Sequence, residues 1–352
     1  MSKILYYIGT YTSVTSKGIY GTYFDSETQE FSKPELFAEL PSPTYMVSNK
    51  NAAILYSVSE IPDKTRGKLS AYSIEPSAGK LSKINEVNAP GLGLCHISID
   101  PTEKFLFAAS YPDATVQVYP ILEDGSVGEA VCVKEHVGKG VNKARQEKAH
   151  AHHVCLTPDQ KYLCACDLGI DKVMVYRFDI NTGQLELDED KCLKLPDGCG
   201  PRHMIFNSNG QTAYVLSELS SQVFVLSYQA DKGFTILQTI NALEQDDIAS
   251  DAAAIRISSD DRFLYTSNRG EDSLALFHIN EDTGLLERIS NSSSGGQHPR
   301  DFILTDSLLL CANRDSDNIV VYQVSEEDGT IEPVQEVTGV SKPVNILEYH
   351  LE

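Results

Sequence analysis

Seven times along its 352 residues the chain repeats one short pattern, an apolar pair that runs through small residues to a polar one. Ile54-Leu55-Tyr56-Ser57-Val58-Ser59-Glu60, Phe105-Leu106-Phe107-Ala108-Ala109-Ser110-Tyr111 and Phe263-Leu264-Tyr265-Thr266-Ser267-Asn268-Arg269 are three of the copies. Aligned on Leu5, Leu55, Leu106, Leu163, Ala213, Leu264 and Leu309, the copies are spaced by 50, 51, 57, 50, 51 and 45 residues. A unit of this length cannot bury its apolar faces alone, so such a chain must stack its units against one another.

Within each unit the residues alternate as strands do. Thr115-Val116-Gln117-Val118-Tyr119 and Asn318-Ile319-Val320-Val321-Tyr322 place β-branched and aromatic residues at period two. Asn181-Thr182-Gly183, Asp282-Thr283-Gly284 and Glu327-Asp328-Gly329 then mark a tight turn into a further strand, and Asp100-Pro101 and Ser259-Asp260-Asp261 mark a hairpin before the repeated pattern. Four antiparallel strands per unit and no helical periodicity predict an all-β fold, a seven-bladed β-propeller of four-stranded antiparallel blades. The lack of Trp argues against the tryptophan-aspartate class of repeat. The run from Lys342 to Leu347 matches the first strand of a unit, whereas the N-terminus begins at a second strand. The ring is therefore predicted to close by N- and C-terminal strands in one blade, with residues 343–349 pairing with Leu5 to Gly9, and residues 1–352 to form a single domain.

Charge and hydropathy narrow the function classes. Fifty acidic against 29 basic side chains leave a net charge of −21, which repels nucleic acid and anionic lipid, so neither partner is expected. No apolar run approaches the ~18 residues of a membrane span, and the first nine residues do not read as a signal segment. A cytoplasmic protein is expected. The eight cysteines show no Cys-x-x-Cys spacing and read as buried, reduced thiols.

In an antiparallel blade the start of the first strand and the end of the second share one edge. That edge collects His150, His152, Arg202, His203 and Arg300 from first strands, and Tyr11, Glu60, Tyr111, Asp167, Glu218, Arg269 and Arg314 from second strands. Four of the ten arginines fall there, in a strongly acidic protein, which points to a small anionic ligand held by guanidinium forks. Arg202 and Glu218, sixteen residues apart, should lie on adjacent strands, either as an ion pair or as a general base beside its partner. On a regular strand His150 and His152 share a face and His153 points away. Such a pair could begin a metal site, with His96 or His203 as the other candidates, but acid–base or hydrogen-bonding imidazole is the stronger reading and no metal or cofactor is expected. The 57-residue spacing marks an insert at 135–149 that carries Lys139, Lys143, Arg145 and Lys148 and could shield the mouth or attract an anion.

The segments Gly200-Pro201-Arg202-His203-Met204-Ile205-Phe206 and Ser217-Glu218-Leu219-Ser220-Ser221, with Asn268-Arg269 and Pro299-Arg300, resemble the lactonase family of seven-bladed propellers nearly end to end. That family includes propeller-type 6-phosphogluconolactonases and the carboxy-cis,cis-muconate cyclase. From their place on the same edge, His150, His203, Arg300, Tyr111 and Asp167 are expected to contact substrate; the resemblance implies that His152, Arg202, Glu218 and Arg269 are active-site residues. It implies hydrolysis of an anionic sugar lactone without a metal, with Glu218 as base, Arg202 and Arg269 stabilising the oxyanion or holding the phosphate, and His152 as acid. A muconate-type cycloisomerase and a non-catalytic binding propeller are the alternatives. The sequence departs from the family at 43–51, which has no Pro-Asp-Gly hairpin, and at Ser110-Tyr111, where Asn-Tyr is commoner.

Overall fold

Every one of the seven aligned residues, Leu5 through Leu309, lies fully buried on the second strand of its blade. The computed structural model describes residues 3–60, 66–245 and 248–352 and arranges them as seven antiparallel sheets in a ring. Blade 1 is built from Met46–Ser48, Ile54–Ser59, Lys68–Ile74 and Leu81–Asn88, ordered from the channel outward. Blades 2 to 6 begin with the inner strands His96–Ile99, Ala151–Leu156, Pro201–Phe206, Asp251–Ile257 and Pro299–Leu304. The helical exception among the described residues is a single 3₁₀ turn, Glu189–Lys191.

Seven apolar clusters hold the ring, one at each junction between neighbouring blades. Successive residues of a second strand point to opposite faces, so Leu106 packs toward blade 1 and Phe107 toward blade 3. Both faces are covered, which explains why these strands read as nearly continuous apolar runs. Truncating one of the aligned leucines to Ala costs about 2–5 kcal/mol. The turn glycines also serve the junctions. Tyr214 Oη donates to the Gly284 carbonyl of the next blade at 2.8 Å, and Tyr265 Oη to that of Gly329 at 2.6 Å. Gly329 has φ of 73°, and a Cβ there would stand 2.7 Å from the Phe263 ring, so the turn requires glycine twice over.

The closing seventh blade joins both ends of the chain as expected. Its inner strand, Pro343–His350, pairs with Lys3–Thr10 from Ile4↔His350 to Gly9↔Asn345. Asn345 ties it sideways as well, accepting from Met46 N of blade 1 at 3.0 Å and donating to Asp301 Oδ2 of blade 6 at 2.7 Å.

Candidate active site

Inner strands of blades 3, 4 and 6 each carry a β-bulge at the edge where they begin. Ala151 and His153 oppose Asp167 and Cys166, leaving His152 as the extra residue; Arg202 and Arg300 are the extra residues of their blades in the same way. A bulge re-aims the side chains around it. This overturns the expectation of strict alternation, in which His150 and His152 share a face and His153 points away. His153 and His203 instead line the central channel, where a cavity of about 440 Å³ runs between the inner strands.

Glu218 is the focus of the opposite, bulged mouth. It follows the strand Thr212–Ser217, and its backbone is fixed at a blade junction: its N–H donates to Gly200 O at 2.7 Å and its carbonyl accepts from Ala252 N at 3.0 Å. Arg202 Nε donates to Glu218 Oε2 at 2.8 Å, and Arg269 Nη2 lies 3.0 Å from the same oxygen. The other oxygen, Oε1, accepts from Arg145. Arg269 is itself anchored to the carbonyls of Asp251 (3.1 Å) and Ala252 (2.8 Å), and Arg202 to that of Ala253. Burial pushes the Glu218 carboxyl up, but Arg269 and Arg202, with Arg145, outweigh it and hold the group well below the usual carboxylate range. Burial, with Arg269 and Arg300 nearby, lowers Arg202 to about 10, so it remains charged at neutral pH.

His152 stands beside this cluster as a buried ring whose Nδ1 has no hydrogen-bond partner. Its ring centre is 5.4 Å from that of His203 and 5.8 Å from that of Tyr111. Burial first, and then Arg202, push its pKa well below 6.5, with Glu218 opposing, so the imidazole is neutral at pH 7. His203 lies one layer deeper. Its Nε2 accepts from Arg202 Nη1 at 2.8 Å, and its ring sits 4.9 Å from that of His153, which in turn is 4.0 Å from that of His96. It therefore supports Arg202 from within the channel.

Other expected contacts separate. Asp167 turns away from the mouth: Oδ1 accepts the backbone N–H groups of His150, Gly169 and Ile170, and Oδ2 lies 2.6 Å from His136 Nδ1. A carboxylate so saturated is a structural clasp for its own turn. His150 stacks on Tyr111 at 4.2 Å, with Nδ1 on the Tyr111 carbonyl and Nε2 on Glu147. Its nitrogens are thus directed away from His152, and among the described residues no three His, Cys, Asp or Glu groups could together hold a metal ion. Arg300 donates to Tyr11 Oη at 3.0 Å and lies 3.7 Å from Glu60, while still close enough to act electrostatically on Arg202 and His152, and Arg314 pairs with its neighbour Asp315 at 2.8 Å. Sequence reasoning missed Asp251 and the direct bond from Arg145 to Glu218. The basic insert was the available signal for Arg145, but its partners lie 73 and 106 residues away.

Residues 5–348 match the model of the family described as lactonase, 7-bladed beta-propeller. The chain belongs to that lactonase family. The 6-phosphogluconolactonase of Bacillus subtilis (strain 168) is 38% identical over 305 residues, 86% of this chain and 85% of its own length. Among solved structures, a putative 6-phosphogluconolactonase from Bacteroides fragilis superposes with a TM-score of 0.91 at 32% identity, covering 99% of this chain and 98% of its own. The periplasmic gluconolactonase of Pseudomonas aeruginosa gives 0.92 at 31%, with 99% of both chains covered. In this lactonase-family chain the mouth combines buried cations, fixed before any ligand arrives, with a neutral imidazole that can accept a proton. Charge developing on a carbonyl oxygen would meet preorganised donors there.

Proposed function

We propose that this protein hydrolyses a sugar lactone, 6-phosphogluconolactone to 6-phosphogluconate, at the mouth formed by His152, Arg202, Glu218 and Arg269. The observation that carries the reading is the neutral His152, with Nδ1 unpartnered, beside the buried Arg202 and Arg269. Family membership and the lactonase names of its relatives support the substrate class.

Water adds to C1 of the lactone while His152 accepts its proton, and the carbonyl oxygen becomes an oxyanion facing the two guanidinium groups. The C1 to ring-oxygen bond then breaks, and His152 returns the proton to the departing oxygen, which becomes the C5 hydroxyl. The acid product ionises into solvent. Both carboxylate oxygens of Glu218 are engaged by guanidinium groups, Oε2 by Arg202 and Arg269 and Oε1 by Arg145, whereas His152 Nδ1 is unpartnered, so the part of Glu218 is to fix Arg202 and Arg269 and to offset the positive charge that His152 acquires. Proton transfer and oxyanion stabilisation each contribute about 10²–10⁴ in rate, enough for an ester that already hydrolyses in water. A cytoplasmic setting fits the eight free thiols.

A timed assay on freshly prepared 6-phosphogluconolactone, corrected for spontaneous hydrolysis, tests the reading. Acceleration by the wild type, reduced at least a hundredfold in His152→Gln, is expected. A wild-type rate equal to the uncatalysed one rejects it.

A further inference from the structure

Arg145 reaches the mouth from outside the blades. The insert that carries it, between Cys132–Glu135 and Ala151–Leu156, is pinned by the fully buried Gln146. Gln146 Nε2 donates to Leu168 O at 2.8 Å and Asp171 Oδ1 at 2.7 Å, and its Oε1 accepts from Asn142 N at 3.0 Å. Asn142 Oδ1 in turn accepts from the N–H groups of Ala144 and Arg145. A closed turn with a buried anchor thus aims the Arg145 side chain at blades 4 and 5.

There the guanidinium bridges two carboxylates of unequal kind. Nη2 bonds the buried Glu218, whereas Nη1 lies 3.0 Å from Asp251, whose side chain is 40% exposed. The Arg145 side chain is itself 36% exposed, unlike the enclosed Arg202 and Arg269. The Asp251 contact is a solvated ion pair of the kind that adds little to stability, and its carboxylate rehydrates at little cost. An incoming dianion can therefore take the Asp251-facing donors of Arg145 while Glu218 keeps the rest. Arg202 and Arg269 spend donors on backbone carbonyls and on Glu218, which leaves them less to offer such a group.

We propose that Arg145 is the specificity-determining residue of this mouth, a guanidinium strap that exchanges Asp251 for the phosphate of a phosphorylated sugar lactone or acid. The inference rests on the proposed lactone reading for the orientation of the sugar, with C1 at Arg202 and the phosphate toward solvent. No bond is made or broken in this exchange beyond hydrogen bonds. Lys139, Lys143 and Lys148 on the same insert add a local positive field within a protein of net charge −21.

Calorimetric binding of 6-phosphogluconate and of gluconate to the full-length wild type, Arg145→Gln and Asp251→Asn tests it without requiring turnover. The wild type should prefer the phosphorylated acid, Arg145→Gln should lose that preference by about tenfold or more, and Asp251→Asn, which frees the guanidinium, should strengthen it. Arg145→Lys should restore only part, because an ammonium lacks the fork. Equal affinities of the wild type for the two acids, or a parallel loss for both in Arg145→Gln, overturn the proposal. Should the wild type fail to hydrolyse lactone yet show the Arg145-dependent preference, the lactonase reading falls and this inference stands; hydrolysis with an Arg145-independent preference has the opposite meaning.

Discussion

Arg202 and Glu218 meet across the first hairpin of blade 4, Nε to Oε2 at 2.8 Å, with both side chains almost wholly removed from solvent. Neither can be altered alone without leaving the other's charge buried. Glu218→Gln should therefore destabilise the fold by about 3–5 kcal/mol, the cost of breaking a buried pair from one side, as well as reducing kcat. Thermal unfolding measured beside kcat checks it; an unchanged midpoint means that Arg202 and Arg269 do not depend on this carboxylate.

The same carboxyl predicts a pH dependence of stability. Burial raises it, but the arginines prevail and the folded state holds Glu218 well below its usual value. A group depressed on folding contributes stability in full above its unfolded pKa of about 4.3, and that contribution is lost as pH falls toward the native value. Midpoints recorded from pH 7 down to pH 3 should fall more steeply for the wild type than for Glu218→Gln. Parallel curves contradict this account of the clamp.

His152 must be neutral to accept a proton, and burial together with Arg202 holds its pKa well below 6.5. Lactone hydrolysis should accordingly show a flat kcat/KM between pH 6 and 8 and decline only at lower pH. A decline centred near 6.5 that persists in His152→Gln assigns the proton to another group. The substitution itself should lower kcat by about 10²–10⁴.

Asp167 is expected to matter for folding and not for chemistry. Asp167→Asn replaces an acceptor of three backbone N–H groups and of His136, and should cost about 1–3 kcal/mol for the acceptor bonds it weakens. Its kcat/KM should stay within about threefold of wild type below the melting range, since the carboxylate acts only on the scaffold. A loss comparable to that of His152→Gln would return Asp167 to the mouth.

Ring closure can be tested at one residue. Asn345→Ala removes the links to Met46 and Asp301 on either side and leaves a buried N–H and a carboxylate oxygen short of partners, at about 1–3 kcal/mol for each group. Deleting residues 343–352 goes further, because the strand Lys3–Thr10 then presents an open edge. Denaturant unfolding should show a lower midpoint for Asn345→Ala and no cooperative transition for the truncated chain.

Much of this molecule could be read from spacing. A fifty-residue period with strand alternation dictates blades, and the antiparallel rule places Arg202, Glu218 and Arg269 on one rim before any coordinates are known, because both statements depend only on local geometry. Alternation failed where the strands cease to be regular. The bulges at His152, Arg202 and Arg300 insert one residue against an unbulged partner, and nothing in the residue types of His150-Ala151-His152-His153 announces that insertion. Asp167 shows a related limit: a polar residue at a strand end looks the same whether it faces a ligand or the backbone amides of its own turn. Partnerships across the ring were beyond sequence altogether. Arg145 meets Glu218 only because the insert folds back over the mouth on its Gln146 anchor, and Arg269 meets Glu218 only because blades 4 and 5 close at that angle. The sequence by itself determined the repeating unit, its number and the edge on which the candidate residues gather; the tertiary structure decided which charges meet, since that depends on packing between segments far apart in the chain.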